Sequence, residues 1–260
     1  MSSVTVDAAP AAPLRVRADA SVFGVPLHPL TMAETVDEVE ALIADGGPHQ
    51  HVVLNASKIV QLAADPELRR IVADCSLVNA DGQSIVWAAR LLGVHVPERV
   101  TGIDLMDELL ARAAARGWSV YFLGATESVV RELVEIERFR HPGLKVAGWR
   151  NGYWTASEEE DVVAAVARTR PTLLFVAMPS PRKEQFLSRH LDALGANFAM
   201  GVGGSFDVFA GRTKRAPRWM QRAGLEWTYR LIQEPRRMFR RYLVGNTRFV
   251  MLTFAELMRR

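Results

Sequence analysis

A doubly wound, Rossmann-like α/β fold with a mainly parallel sheet and an Arg-rich helical C-terminal appendage follows from three observations. Short apolar runs bounded by turn residues recur along the chain. Segments with helical apolar spacing separate them. From Gly211 onward the composition changes to arginine interleaved with Trp219, Trp227, Tyr229, Phe239 and Tyr242.

The apolar runs at 51–55, 76–79, 119–123, 172–177 and 197–202 read as buried strands. The segments 31–42, 82–92, 104–115, 128–139, 157–167 and 182–194 read as helices. Strand and helix alternate, which argues for a parallel sheet covered on both faces. Residues 21–211 therefore read as one domain. The first 20 residues, with Ala, Pro and single charges, read as a mobile leader. Residues 212–260 read as two or three helices broken near Pro217 and Pro235.

The chain has 260 residues, enough for one domain with a substantial core. Its net charge is only +3, but the charge is unevenly placed. Residues 212–260 hold twelve Arg, one Lys and three Glu, a net of +10, which leaves −7 for the rest. Such a tail is built to meet something anionic. The single cysteine, Cys75, cannot form an internal disulfide and reads as a small buried residue in a reducing compartment. No stretch reaches the ~18 apolar residues of a spanning helix, and the N-terminus lacks a signal-peptide centre. The expected location is the cytoplasm.

In open α/β sheets ligands bind outside the carboxyl ends of the strands. The residues so placed are Asn55, Asp81-Gly82, Gly124-Ala125-Thr126, Met178-Pro179-Ser180 and Gly203-Gly204-Ser205. Asp81-Gly82 reads either as a turn with a helix cap or as a carboxylate poised as a general base. Gly201 through Asp207 resembles a phosphate-cradling turn, though it is not G-x-G-x-x-G and lies at the last strand. That position argues against a nicotinamide site. The turn at Gly124 reads equally as a tight connection or as a phosphate or sugar contact. No D-x-D is present to hold a divalent ion under a diphosphate. The charge would then fall to Arg, Lys and backbone N–H groups. The six histidines show no metal-ligand spacing and read as surface or packing residues. The basic, aromatic-rich tail suits an anionic lipid surface. A nucleic-acid patch would share its electrostatics, but no nucleic-acid module is recognisable.

Ordered stretches between Phe23 and Tyr242 carry a family resemblance. They include Phe23-Gly-Val-Pro26, Ala80-Asp-Gly82, Pro97-Glu-Arg-Val-Thr-Gly-Ile-Asp104, Pro181-Arg-Lys-Glu184, Lys214-Arg-Ala-Pro217 and Gly224-Leu-Glu-Trp-Thr-Tyr-Arg230. On these the chain resembles the WecG/TagA/CpsF family of glycosyltransferases. The resemblance implies inverting, metal-independent transfer of a hexosyl or N-acetylhexosaminyl group from a UDP-sugar to a polyprenyl-diphosphate-linked sugar, without a cofactor. Exopolysaccharide or teichoic-acid synthesis is the implied setting. It implies an appendage that closes the site on the inner face of the plasma membrane. The family's catalytic aspartate maps onto Asp81 and its neighbouring asparagine onto Asn55. The arginine of the family's Pro-Glu-Arg-Val segment maps onto Arg99, its glycine-rich nucleotide segment onto Gly203, Gly204 and Asp207, and the appendage arginines onto Arg230, Arg237 and Arg240.

Two positions depart from the teichoic-acid branch. Val53 stands where that branch has threonine, and Lys183 where it has glutamine. Both are expected at the mouth of the site, so the branch's sugar does not carry over. Lys183 could pair with a donor phosphate or an acidic sugar. A non-catalytic nucleotide-sugar or anionic-lipid binding module is the rival reading. The appendage's apolar surface could also bury itself in a second subunit, making a homo-oligomer.

Overall fold

The computed structural model describes residues 20–222, 224–233 and 235–259, with the side chains of 222, 230 and 236–243 outside the described residues. The expected leader also lies outside them, apart from Ala20, which opens the first strand.

The chain begins with an antiparallel hairpin of β1 (Ala20–Val22) and β2 (Val25–Leu27). Helix α1 (Met32–Asp45) starts where Thr31 and Glu34 cap each other and stops at Gly46 in the left-handed region. After β3 (His49–Leu54) come α2 (Ala56–Ala64), capped by the Asn55 side chain, and α3 (Pro66–Ala73), capped by Asp65. Then follow β4 (Leu77–Ala80), α4 (Gln83–Leu91), α5 (Gly102–Arg116), β5 (Ser119–Gly124), α6 (Glu127–Arg140), β6 (Lys145–Arg150) and α7 (Glu159–Thr169). The core closes with β7 (Leu173–Ala177), α8 (Arg182–Leu194), β8 (Phe198–Gly201) and the short α9 (Ser205–Phe209). The C-terminal part is α10 (Arg218–Arg222), α11 (Glu226–Gln233) and α12 (Pro235–Leu257).

The main sheet has six strands in the order β4-β3-β8-β7-β5-β6, every pairing parallel. β4, β7 and β8 are buried along their whole length, because helices cover both faces. On one face α1, α5, α6 and α9 pack on Phe122, Phe175 and Phe198. Phe206 of α9 meets Phe122 edge-on at 5.8 Å. On the other face α2, α3 and α4 cover Val52, Leu54 and Val78, and α7 and α8 cover Leu123, Leu174 and Val176. Each such buried side chain contributes about 1.5–3 kcal/mol.

The five expected strands and six expected helices all exist, each shifted by a few residues at most. Three features were not expected: the hairpin, the α2–α3 pair and β6. β6 reads Lys-Val-Ala-Gly-Trp-Arg, is only half-buried, and lies at the sheet edge, so it lacks the apolar run that marks its partners. Its Gly148 serves packing. A Cβ there would sit 2.5 Å from the Tyr121 ring.

The C-terminal part is tied to the core at its far end. Phe249 of α12 is buried against the α2 side of the sheet, its ring 5.8 Å from that of Phe23. Leu252 and Leu257 join the same cluster. No helix among the described residues is long and apolar enough to cross a membrane.

Candidate active site

The parallel register builds the site. Leu54 of β3 pairs with Ala80 of β4, and the Asp81 N–H donates to the Leu54 carbonyl at 2.7 Å. Asn55 and Asp81 therefore leave adjacent strands side by side, about 4.8 Å apart by strand spacing. Both are half-buried. Gly82 follows with φ +112, a conformation only glycine adopts without strain. That residue turns the chain sharply from Asp81 into α4. Asn55 is partly committed, because its Oδ1 accepts from the Lys58 N–H at 2.9 Å.

The glycine turn lies next to this pair. β8 neighbours β3, and beyond its end Gly203 (φ +56) and Gly204 face open space, with nothing within 4 Å of a built Cβ. Asp207 lies in α9 and its carbonyl accepts from the Arg212 and Thr213 N–H groups. It therefore holds the start of the basic segment.

Gly124 is placed elsewhere. It ends β5, three strands from β3 and hence about 14 Å away. Its φ is +131, and a Cβ would lie 2.3 Å from the Ala177 carbonyl oxygen. Close approach of β5 to β7 is enough to require glycine there. Of the two departures, Val53 packs beneath Gly102 at the start of α5, 3.8 Å from its built Cβ. Lys183 is buried, its ammonium 2.6 Å from Glu184 Oε1 and its stem lying across Gly201.

Lys183 belongs to a cluster that sequence reading passed over. Glu184 Oε1 accepts from both Lys183 and Lys58, the latter a very short contact. Lys58 Nζ also donates to Ser180 Oγ at 2.6 Å, and Ser180 Oγ donates to Gln61 at 2.8 Å. Burial, added to repulsion from Lys183, lowers the Lys58 pKa to about 8. Burial alone would raise Glu184, but the two ammonium groups more than reverse this and hold it below the usual carboxylate range. A lysine three residues after the Asn55 cap and a glutamate after Pro-Arg-Lys are the signals of this cluster in the sequence, and neither shows that the two meet.

A second network joins the core to the C-terminal part. Arg215 grips Asp104 with both guanidinium nitrogens, at 2.5 and 3.0 Å. Its Nε lies 3.5 Å from Glu226. Arg99 donates to the Gln221 carbonyl at 3.2 Å and lies 3.7 Å from Glu226. Burial raises the Asp104 pKa, and Arg215 and the Thr101 hydroxyl lower it further than that, so it stays below the usual range. Arg99 thus faces α10 and α11. Val100 donates to the Ala80 carbonyl at 3.0 Å, which keeps this segment beside Asp81. Gly224, with φ +72, presses on α4, where a Cβ would meet Gln83 at 2.8 Å. The turn between α10 and α11 therefore sits two residues past Asp81. Arg230 lies on α11 and Arg237 and Arg240 on α12, and all three side chains lie outside the described residues.

The buried His51 bonds Asn79 at 3.0 Å, and burial lowers its pKa to about 4, so it packs as a neutral ring. Cys75 is buried, with its thiol donating to the Ile71 carbonyl. The concavity between Gly46, Arg170 and Asn197 lies at the amino ends of β3 and β8, the edge opposite the strand-end residues.

This is a Rossmann-like α/β protein whose polar groups converge at the carboxyl edge of a parallel sheet, where such folds take their ligands. The model of the glycosyl transferase WecG/TagA/CpsF family matches residues 20–260, and the chain belongs to that family. A relative from Bacillus spizizenii (strain ATCC 23059 / NRRL B-14472 / W23) is 34% identical over 173 residues, covering 66% of each chain. Another, from Bacillus subtilis (strain 168), is 34% identical over 165 residues, covering 64% of each. Both are named N-acetylglucosaminyldiphosphoundecaprenol N-acetyl-beta-D-mannosaminyltransferase. The match thus spans just under two thirds of these relatives.

Proposed function

We propose that the chain is an inverting glycosyltransferase that moves a sugar from a UDP-sugar to a polyprenyl-diphosphate-linked acceptor during surface-polysaccharide synthesis. The observation that carries this reading is the pairing of Asn55 and Asp81 at adjacent strand ends beside the open Gly203–Gly204 turn. The relatives' names supply the acceptor class. The Asp81 carboxylate takes the proton of an acceptor hydroxyl. The hydroxyl oxygen forms the new bond to the anomeric carbon. The bond from that carbon to the UDP oxygen breaks, and UDP leaves with the electron pair from the opposite face.

Asn55 orients a sugar hydroxyl, and the glycine turn, Asp207 and Lys183 line the donor. Charge on the departing diphosphate is offset by cations, without a metal. Arg99 positions the α10–α11 turn over the crevice, and Arg230, Arg237 and Arg240 are the arginines that would complete it. The basic helices, with exposed Trp219, Trp227 and Ile232, suit an anionic membrane surface. The enzyme would then act as a peripheral protein on the inner face of the plasma membrane.

UDP release from a panel of UDP-sugars tests this, with and without a short polyprenyl-diphosphate-sugar acceptor. Release should require one donor and the acceptor together. Asp81→Asn should cut turnover ~100- to 10,000-fold and leave UDP affinity nearly unchanged. Full turnover in Asp81→Asn would overturn the assignment.

A further inference from the structure

The Lys58–Glu184–Lys183 cluster has a charge imbalance that packing alone does not explain. It places two ammonium groups on one carboxylate oxygen, and all three side chains are at most 11% exposed. The groups that face Lys58 are Lys183 and Glu184 of α8, Ser180 before it, Gln61 of α2, and the Cys75 thiol after α3. Burial and Glu184 push Cys75 up, so it stays a neutral thiol. The net charge is therefore one positive unit. A buried surplus charge is costly unless an opposite charge arrives. Glu184 Oε2 is also buried and has no hydrogen-bond partner among the described residues.

The cluster lies where a ligand would be. The Asn55 side chain caps the helix by accepting from the Lys58 N–H. The Lys183 stem closes the space over Gly201, and Gly203 and Gly204 beside it are open. The cluster therefore spans from the Asn55 turn to the glycine turn. We propose that Lys58 and Lys183, held on Glu184, form an anion subsite that receives the donor's diphosphate. This assignment rests on the UDP-sugar reading above. Glu184 is the positioning residue: it draws two cations to one point and offers its second oxygen to a ligand hydroxyl or a bound water. Arrival of the diphosphate neutralises the surplus charge and stabilises the charged form of Lys58.

The sign of the pH effect follows. Unliganded, Lys58 loses its proton near pH 8. A bound anion raises that value, so binding takes up a proton above pH 8 and affinity falls as pH rises. Titration calorimetry of the full chain with UDP, pyrophosphate and uridine at pH 7 and pH 9, in buffers of different ionisation enthalpy, reads this directly. Wild type should bind UDP about tenfold more weakly at pH 9 and take up nearly one proton there. Uridine shares the base titration of UDP and sets the baseline, which the UDP effects should exceed by that amount.

Lys58→Met and Lys183→Gln should each weaken UDP about ten- to a hundredfold at pH 7 and leave uridine unchanged. Lys58→Met should also lose the pH dependence. Lys58→Arg should keep the affinity and lose the fall with pH. Melting curves check folding, and if Lys58→Met unfolds, Lys183→Gln decides the matter. Unchanged UDP affinity and pH profile in both variants would overturn this subsite while leaving the glycosyltransferase reading intact. Loss confined to a UDP-uronate, with UDP itself unaffected, would overturn the diphosphate assignment in favour of a sugar carboxylate. Wild type that binds neither UDP nor uridine would overturn both readings.

Discussion

Two charged clusters lie near the carboxyl edge of the sheet, and they differ in burial and in balance. Lys58, Lys183 and Glu184 are buried inside the core and carry one more positive than negative charge. Asp104, Arg215, Arg99 and Glu226 bridge the core and the C-terminal helices, and their charges cancel. Asp104 is 40% exposed there. In the first cluster, removal from water makes each proton and each partner matter, and Lys58 moves far from its ordinary pKa. In the second, the part-exposed Asp104 lets solvent weaken the pairing, while Arg99, Arg215 and Glu226 are only 13–20% exposed. Both contain paired Lys or Arg and carboxylate side chains, yet the fully buried one is suited to sense an anion and the part-buried one to hold a turn in place.

The comparison breaks most readily at Glu184. Glu184→Leu leaves two buried ammonium groups without their carboxylate and should cost about 3–5 kcal/mol, read as a large fall in denaturation midpoint. A loss under about 1 kcal/mol would place this cluster with the exposed one. Next is Gly224→Ala, which meets both the left-handed backbone and Gln83. It should cost about 1 kcal/mol and loosen the α10–α11 turn, measured as faster amide exchange over 218–233.

Arg215→Ala should have the smallest effect on stability, below about 1 kcal/mol, because its partner is well exposed. Its effect should vanish in acid. Asp104 has a depressed pKa, so its stabilisation is present above the ordinary aspartate value of about 4 and is lost as pH falls through the lower, folded-state value. Lys58 gives the same slope in alkali for a different reason, because folding disfavours its charged form where it favours that of Asp104. Between about pH 8 and its ordinary value of 10.5 the folded chain holds fewer protons than the unfolded one, so global stability rises with pH there. Paired melts of wild type and Arg215→Ala across acid pH, and of wild type and Lys58→Met across alkaline pH, test both windows.

Much of this was legible in the sequence. The continuous apolar runs of β4, β7 and β8 are what a doubly covered parallel sheet demands, and the strand ends at Asn55, Asp81 and Gly203–Gly204 are legible from the turn residues that follow the runs. β6 was missed because an edge strand needs no apolar run. The resemblance puts Arg99 at the donor, and the fold shows that it also bonds Gln221 and lies near Glu226. Gly124 reads equally as a tight connection or a ligand contact, and the fold supplies a reason for the first, with the Ala177 backbone filling the place of its side chain.

The sequence by itself determined the layers, the strand ends and the basic C-terminal part, because periodicity, turn chemistry and charge are local and survive in one dimension. The tertiary structure alone decided that Lys58 and Lys183 share Glu184, that Arg215 reaches back to Asp104, and that Phe249 docks on Phe23. Those contacts join residues more than a hundred positions apart for most of these pairs. Burial, which sets the strength of each charge, exists only once the layers have closed around it.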